Sequence, residues 1–598
     1  MKHFIRLEIL LSILLLAGTA FFTMDLGAQT PSKAPAKPAA RSAAKAPAAR
    51  SAAKAPAARS AAKAGKTKAK APARRAAVAK ASPAAAKAAT KGKKAKGKKP
   101  QKSFFMKFLP ILILLIVVTL ILSRLPPPDF SGVDTSWRTQ AFRMRRVVNW
   151  LPLGLTYSFL YMGRYNLKVS KFAFEGMQGV GGSSSLMDNQ AFGIIFAAGT
   201  IVYGISFLIN GPLTDKYGGK FAILVGAGGS CLMNLLMGLA TWIVATKGPM
   251  HQMLMENMTL TFSILYAANM YFQSFGAVAI VKVNAAWFHV RERGVFGAIF
   301  GILISLGIYF AFDLGYMIKD SMGVIWVFFI PTILLGVFWI LDVFFVKNSP
   351  GEAGHQDFDT ADASSGDDGP QLGAIEVFKM MMRNPVIVTI ALIEFCSGFL
   401  RQAIMQWYRT FAKQTDSVLH LKGDFVYENW GMLLCIAGIS GGVIAGIISD
   451  RMFQSRRGPV AGLLYGVMLI GGVVLFFTYK TSSMVGWLVI IMSMAVIGVH
   501  GMLSGTASMD FGGKKNVGVA VGIIDGFVYL GTAVMSITYA FILPKEQLVG
   551  KTLVGPATNP ANWWGWPIAM VPIALIGFLL ALRVWNAKPQ PKNKKAEA

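Results

Sequence analysis

From Val147 almost to the C-terminus, apolar runs of about twenty residues alternate with short polar turns, and twenty residues is the length a helix needs to cross ~30 Å of hydrocarbon. The runs fall near 147–167, 191–209, 221–244, 259–281, 294–317, 324–346, 386–408, 430–448, 459–478, 484–506, 517–542 and 564–586. Between the sixth and seventh, Lys347 to Glu376 is polar and rich in Asp, Gly and Ser, as a linker between two units is. The pattern predicts an all-α membrane protein of two six-helix bundles, 140–346 and 385–587. A linker over 347–384 joins them, and a basic tail at 588–598 follows.

The first run is unusual because Arg164 lies inside it. A charged side chain at the centre of an inserted helix costs a few kcal/mol or more, so such residues face a wet interior and bind something. Arg401 sits in the same way inside the seventh run. Two guanidiniums from opposite halves, facing one chamber, would hold an anion. Arginine suits phosphate because its planar fork of donors pairs with two oxygens and stays charged at any working pH. Tyr157 and Tyr161, seven and three residues before Arg164, share its helical face. Tyr271 and Gln273 on the fourth span and His500 on the tenth are further polar candidates. Each of these five could instead be a polar contact between helices, and Glu394, seven residues before Arg401, could pair with it.

Composition changes the picture only at the N-terminus. The chain of 598 residues is 54% hydrophobic with mean hydropathy +0.50 and a formal charge of +32, a value that at first suggests nucleic-acid binding. However, 22 of the 60 Lys and Arg lie between Lys33 and Lys102, where there is no Asp or Glu. There AARSAAKA recurs three times and grades into KGKKAKGKK, a segment with little to bury and so expected to stay disordered. It reads either as a solvated spacer or as a device attracted to anionic polymer or lipid headgroups; a nucleic-acid partner is not expected. Residues 1–28 have a basic start and an apolar run from Ile9 to Phe22, the pattern of a signal peptide or signal anchor. After the basic extension at 29–103, residues 104–123 predict one extra membrane helix. Cys231, Cys396 and Cys435 each lie in an apolar run without ligand spacing, so neither a disulfide nor a metal is expected.

Positive charge marks sidedness. Lys216, Lys220, Arg291, Arg293, Arg451, Arg456, Arg457, Lys514 and Lys515 lie in loops after even-numbered spans, which places those loops and both ends of the twelve-span body in the cytoplasm. The loop after the second span reads GPLTDKYGGK, and its counterpart after the eighth reads GIISDRMFQSRRG. A motif at matching places in two halves is the internal repeat of a transporter with pseudo-twofold symmetry. Gly211 and Gly446 would let helices approach, Asp215 and Asp450 would sit near helix N-termini, and Lys216, Lys220 and Arg451 would latch the loops.

These loops resemble the signature G-x-x-x-D-[RK]-x-G-[RG]-[RK] of the major facilitator superfamily, the first copy throughout and the second in part. TYSFLYMGRYN, FGIIFAAGTIVYGISFLINGPLTDK, YFQSF followed by WFHVRERG, VKNSPGEAG, FLRQAIMQWY and MDFGGKKNVGVAVGIIDGFVYLG together look like the organophosphate:phosphate antiporter family, over roughly residues 145–585. The resemblance implies a twelve-helix major facilitator fold, exchange of an organic phosphate for inorganic phosphate by alternating access, and a phosphate grip at Arg164 and Arg401. It implies a multi-pass monomer in the cytoplasmic inner membrane, with the bilayer as its other partner and no cofactor. Where characterised glycerol-phosphate members carry a lysine and a histidine, this chain has Phe207 and Ile304. Where they carry a carboxylate pair, it has Gln406 and Cys435. Two alternatives stay open: a sensor of external sugar phosphate, as some relatives are, and an anion:proton symporter using Glu394 and Asp525. No Walker loop or grouped nucleophiles point to an enzyme.

Overall fold

The computed structural model describes residues 134–179, 185–289, 292–361, 374–453, 457–481, 483–549 and 552–586, plus isolated positions at 109, 112, 113, 116, 130 and 132. The expected signal segment, basic extension and C-terminal tail lie outside these residues. So do nearly all of the expected helix at 104–123, much of the linker, Arg291 and Arg456, and the side chains of 293–300, 450–451 and 505–517.

Twelve long helices run through the described residues. α1 is Gln140–Phe174, α2 Asn189–Tyr217, α3 Gly219–Thr246 and α4 Met258–Trp287. α5 starts at Arg293–Tyr309 and continues through a wider turn at Phe310–Leu314 into Gly315–Ser321, and α6 is Trp326–Phe345. In the second half α7 is Pro385–Gln414, α8 Trp430–Met452, α9 Arg457–Thr478, α10 Val485–His500, α11 Ser508–Ile542 and α12 Gly565–Arg583. Eleven of the described helices are long and apolar enough to cross a membrane. α1 is outside that set, because Arg164, Lys168 and Lys171 interrupt its apolar stretch.

Local chemistry sets several ends. The Thr139 hydroxyl and the Asp188 carboxylate accept from N–H groups of the first turns of α1 and α2, donors that have no partner inside the helix. Asn384 caps α7, with Pro385 at the first helical position, where its missing N–H costs nothing. Gly218 separates α2 from α3 at φ +90, a conformation that favours glycine.

The halves meet along α2 with α11 and along α5 with α8. At the α2–α11 seam a Cβ on Gly211 would lie 2.4 Å from the Gly518 carbonyl oxygen, and one on Gly522 2.6 Å from that of Phe207. Gly518, Gly522 and Gly526 recur every fourth residue on one face of α11, the spacing that lets membrane helices approach closely. Ile209, Leu260, Ile264, Phe344, Ile470, Phe477 and Phe541 point outward and are exposed, as lipid-facing side chains are. α1 by contrast is buried almost throughout. A short helix, Ala374–Arg383, packs Val377 and Met381 against Ile387 and Ala391 of α7 and Val519, Ala520 and Ile523 of α11.

Candidate functional site

Arg164, wholly enclosed, spreads its guanidinium across three neutral acceptors. Nε donates to Gln273 Oε1 (2.9 Å), Nη1 to the Tyr529 hydroxyl (2.5 Å) and Nη2 to the Tyr203 hydroxyl (2.6 Å). Its carbon lies 4.6 Å from the ring centres of both Tyr161 and Tyr203, so aromatic faces supply part of the stabilisation. Its partners come from both halves: Gln273 from α4, Tyr203 from α2 and Tyr529 from α11. Gln273 in turn donates through Nε2 to Asn269 Oδ1 of α4, and Asn269 Nδ2 donates to the Gly163 carbonyl. No carboxylate is among the described partners of Arg164.

Arg401 is buried, and its Nε and Nη2 have no acceptor among the described residues. Leaving donors of a charged group unpaired in a dry interior is costly. Tyr161, Tyr165 and Tyr529 each stand within electrostatic reach of both guanidiniums, so the two arginines flank one tyrosine-lined region at the seam. The Glu394 carboxylate bonds instead to His500 Nδ1 at 2.8 Å.

Of the other polar candidates, Tyr161 and Gln273 join Arg164 directly. Tyr157 stacks edge-on to Tyr161 and borders α4 at Gly276. Tyr271 lies two residues from Gln273, hence on another face of α4, among Phe272 and Phe275, and is not brought to the arginines. His500 stands beside Glu394 on the α10 side.

Tyr203 and Tyr529 escaped sequence reasoning, although both lie inside quoted motifs. Phe207, which stands where the resemblance implies a lysine, packs 4.8 Å from the Tyr203 ring and 6.0 Å from that of Tyr529, steadying the two rings whose hydroxyls hold Arg164. Gln406 donates to Gln402, which donates to the Tyr165 hydroxyl across the seam. Further along, Lys168 Nζ donates to Thr410 of α7. Beyond that, four charged side chains form a clasp: Lys171 Nζ to Glu546 at 2.7 Å and Lys413 Nζ to Glu175 at 2.6 Å. Gln414 donates to both carboxylates, and the Asn189 backbone N–H donates to Glu546. Each of these contacts links the first half to the second or supports one that does.

At the opposite end the first signature loop is fully engaged. Asp215 accepts from Lys282 Nζ of α4 (2.6 Å) and from the backbone N–H groups of Gly518 and Val519 (3.3 Å each). The expectation of a helix N-terminus is corrected here, because those N–H groups lie ten and eleven residues beyond the start of α11 at Ser508. The glycine seam, by bringing the α11 backbone against Gly211, exposes them to Asp215 instead. Lys220 Nζ reaches the Val343 carbonyl of α6, favourable at a helix C-terminus, and Lys216 lies over the Tyr217 ring. Around Gly446 no described atom lies within 4 Å of a Cβ built there. The side chains of Asp450 and Arg451 lie outside the described residues.

Residues 153–536 match the profile of the Major Facilitator Superfamily. The chain belongs to that superfamily. Among its relatives is the glycerol-3-phosphate transporter of Bacillus subtilis (strain 168), 24% identical over 494 residues, covering 79% of this chain and 98% of the relative. A probable hexose phosphate transport protein of Chlamydia pneumoniae is 24% identical over 429 residues, covering 68% and 86%. The membrane sensor protein UhpC of Escherichia coli (strain K12) is 22% identical over 432 residues, covering 68% and 87%. These are relatives of the organophosphate:phosphate antiporter kind, as the sequence motifs imply. The fold is shared with a D-xylose-proton symporter (TM-score 0.51, 15% identity, 73% of this chain and 97% of that one). It is shared equally with a bacterial homologue of the human lysosomal transporter Spinster (TM-score 0.51, 14% identity, 75% and 98%). The protein is a multi-pass membrane transporter and not an enzyme.

Proposed function

We propose that this transporter carries a small phosphorylated anion, of the sugar-phosphate or glycerol-phosphate class, in exchange for inorganic phosphate by alternating access across the cytoplasmic membrane. The observation that carries this reading is the state of the two arginines. Among the described residues Arg164 is held only by neutral hydroxyl and amide groups and two donors of Arg401 meet no acceptor, so neither charge has a direct acid partner there. A phosphate dianion between them would take up the free Arg401 donors and compete with the tyrosines for Arg164. It would also draw the two halves together, while an empty site leaves two like charges facing each other. Return without cargo is then unfavourable, a physical basis for obligatory exchange.

The signature loop at Asp215 is assigned to the cytoplasmic end and the Lys171–Glu546 clasp to the outer end, following the distribution of basic loops. With the outer clasp formed, the site is shut from outside. The names of the relatives support the cargo class, and one of them, a sensor, names the competing reading.

Counterflow of labelled phosphate in proteoliposomes tests the proposal. Trans-stimulated exchange of phosphate for glycerol 3-phosphate or glucose 6-phosphate is expected. Saturable binding without flux would turn the reading to a sensor.

A further inference from the structure

Beside the arginine pair, but outside it, three titratable side chains of the second half stand together. Glu394 of α7 is fully enclosed, with Oε2 2.8 Å from His500 Nδ1 of α10, while its other oxygen, Oε1, has no partner among the described residues. Asp525 of α11 is buried, accepts from the Ser504 hydroxyl, and lies within electrostatic reach of Glu394, His500 and Arg401. Among the described residues, the other ionisable groups facing this cluster are Cys396 of α7, Tyr465 of α9, whose hydroxyl is spent on the Ile393 carbonyl, and, on the Asp525 side, Tyr203 of α2 and Tyr529 of α11.

We propose that Glu394, His500 and Asp525 form a proton-binding site that loads one proton together with the anion. The inference rests on the phosphate-anion reading of the arginine pair. Two buried carboxylates close to Arg401 partly cancel the charge that an incoming anion needs. An added proton removes one negative charge from the cluster and restores the pull of Arg401, while a bound anion makes the cluster easier to protonate. Proton and anion therefore assist each other, and the assistance is mutual by linkage.

The geometry also gives the site a mechanical reach. Asp525 precedes Tyr529 by four residues and so shares its face of α11, and Tyr529 accepts from Arg164. Glu394 precedes Arg401 by seven residues on α7. The cluster is thus connected along α11 to one arginine and along α7 to the other. The step makes no covalent bond: a proton enters from the water of one side and leaves to that of the other. For a single coupled proton, apparent anion affinity rises up to about tenfold per unit fall in pH.

The test uses the full chain in proteoliposomes holding a pH-reporting dye, with labelled phosphate and glycerol 3-phosphate outside. An acid-outside gradient, with unlabelled phosphate inside as the exchange partner, is expected to drive uptake several-fold above the level reached without the gradient, with acidification of the lumen. Arg164→Lys liposomes give the leak. Glu394→Gln, which keeps a hydrogen bond to His500, and Asp525→Asn are expected to retain counterflow but to lose the gradient-driven component. Any pH dependence left in them belongs to the substrate's own titration. Should one variant fail to fold, the other and the wild-type lumenal pH record still decide. Normal counterflow in wild type that ignores the gradient, or gradient-driven uptake that survives both substitutions, overturns the proton site and leaves the anion reading standing. Absence of phosphate and ester flux in every arm overturns both.

Discussion

Glu175→Gln should loosen the outer clasp by an amount the structure allows one to estimate. Glu175 lies just past the end of α1, with Lys413 Nζ at 2.6 Å and Gln414 Nε2 at 3.0 Å. Burial disfavours its charge, but Lys171 and Lys413 outweigh that cost and hold the carboxyl down from 4.5 to about 2. A shift of that size corresponds to about 3 kcal/mol. Lys413 is one-quarter exposed, so solvent screening reduces the usable part to about 2 kcal/mol. When the clasp opens, Glu175 returns to water and to an ordinary pKa. The substitution therefore costs the closed state about 2 kcal/mol and raises the outward-open population roughly 30-fold. The assay is the rate at which a membrane-impermeant maleimide labels Thr410→Cys, a buried position beneath the clasp, with Cys231, Cys396 and Cys435 replaced. Linkage adds a check of sign. A depressed pKa stabilises the closed state above pH 4.5 and is lost as pH falls toward 2, so the parent should open in strong acid while the variant shows no such trend. An unchanged labelling rate in Glu175→Gln would refute the reasoning, because the carboxylate would then contribute nothing to closure.

Glu546 should behave in the opposite sense: although Lys171 is 2.7 Å away, burial and neighbouring Glu175 outweigh it and push the carboxyl up to about 7. A raised pKa favours closure fully below 4.5 and loses that contribution as pH rises through 7, so labelling of Thr410→Cys, divided by the rate for the unfolded protein at the same pH to remove the thiol's own ionisation, should quicken from pH 6 to 8. Glu546→Gln should flatten that dependence without opening the clasp at pH 8. Arg164→Lys replaces a fork serving three acceptors with a single nitrogen, losing two charge-assisted bonds at about 1.5–3 kcal/mol each; counterflow should fall about 10²-fold or more, as in Arg401→Lys, with insertion and folding intact. Normal exchange in either would refute the paired grip. A Cβ on Gly398 would meet the Val528 carbonyl oxygen at 1.8 Å, and one on Gly531 that of Phe395 at 1.9 Å, both backbone atoms that cannot step aside. Gly398→Ala or Gly531→Ala should therefore destabilise by about 1–3 kcal/mol, read as a lower Tm in detergent, whereas Gly442→Ala, with open space around it, should leave Tm unchanged.

The sequence by itself determined what depends on length, periodicity and the cost of charge in lipid. Twelve apolar runs could only become helices, because backbone groups in hydrocarbon must be satisfied within their own segment. Arg164 and Arg401 were conspicuous for the same reason, and helical spacing set Tyr161 on the arginine face. Spacing cannot say which other helix that face meets. Only the tertiary structure brought Tyr203 and Tyr529 from two further helices onto Arg164, turned Tyr271 away from the residue two places along, and gave Glu394 to His500 rather than to Arg401. The clasp of Lys171, Glu175, Lys413 and Glu546 was equally hidden, since its members lie up to 375 residues apart. A stripe of polar residues fixes which side of a helix seeks a partner. The partner itself is chosen by close packing, here by glycines that let α2 and α11 approach until their side chains can reach across the seam.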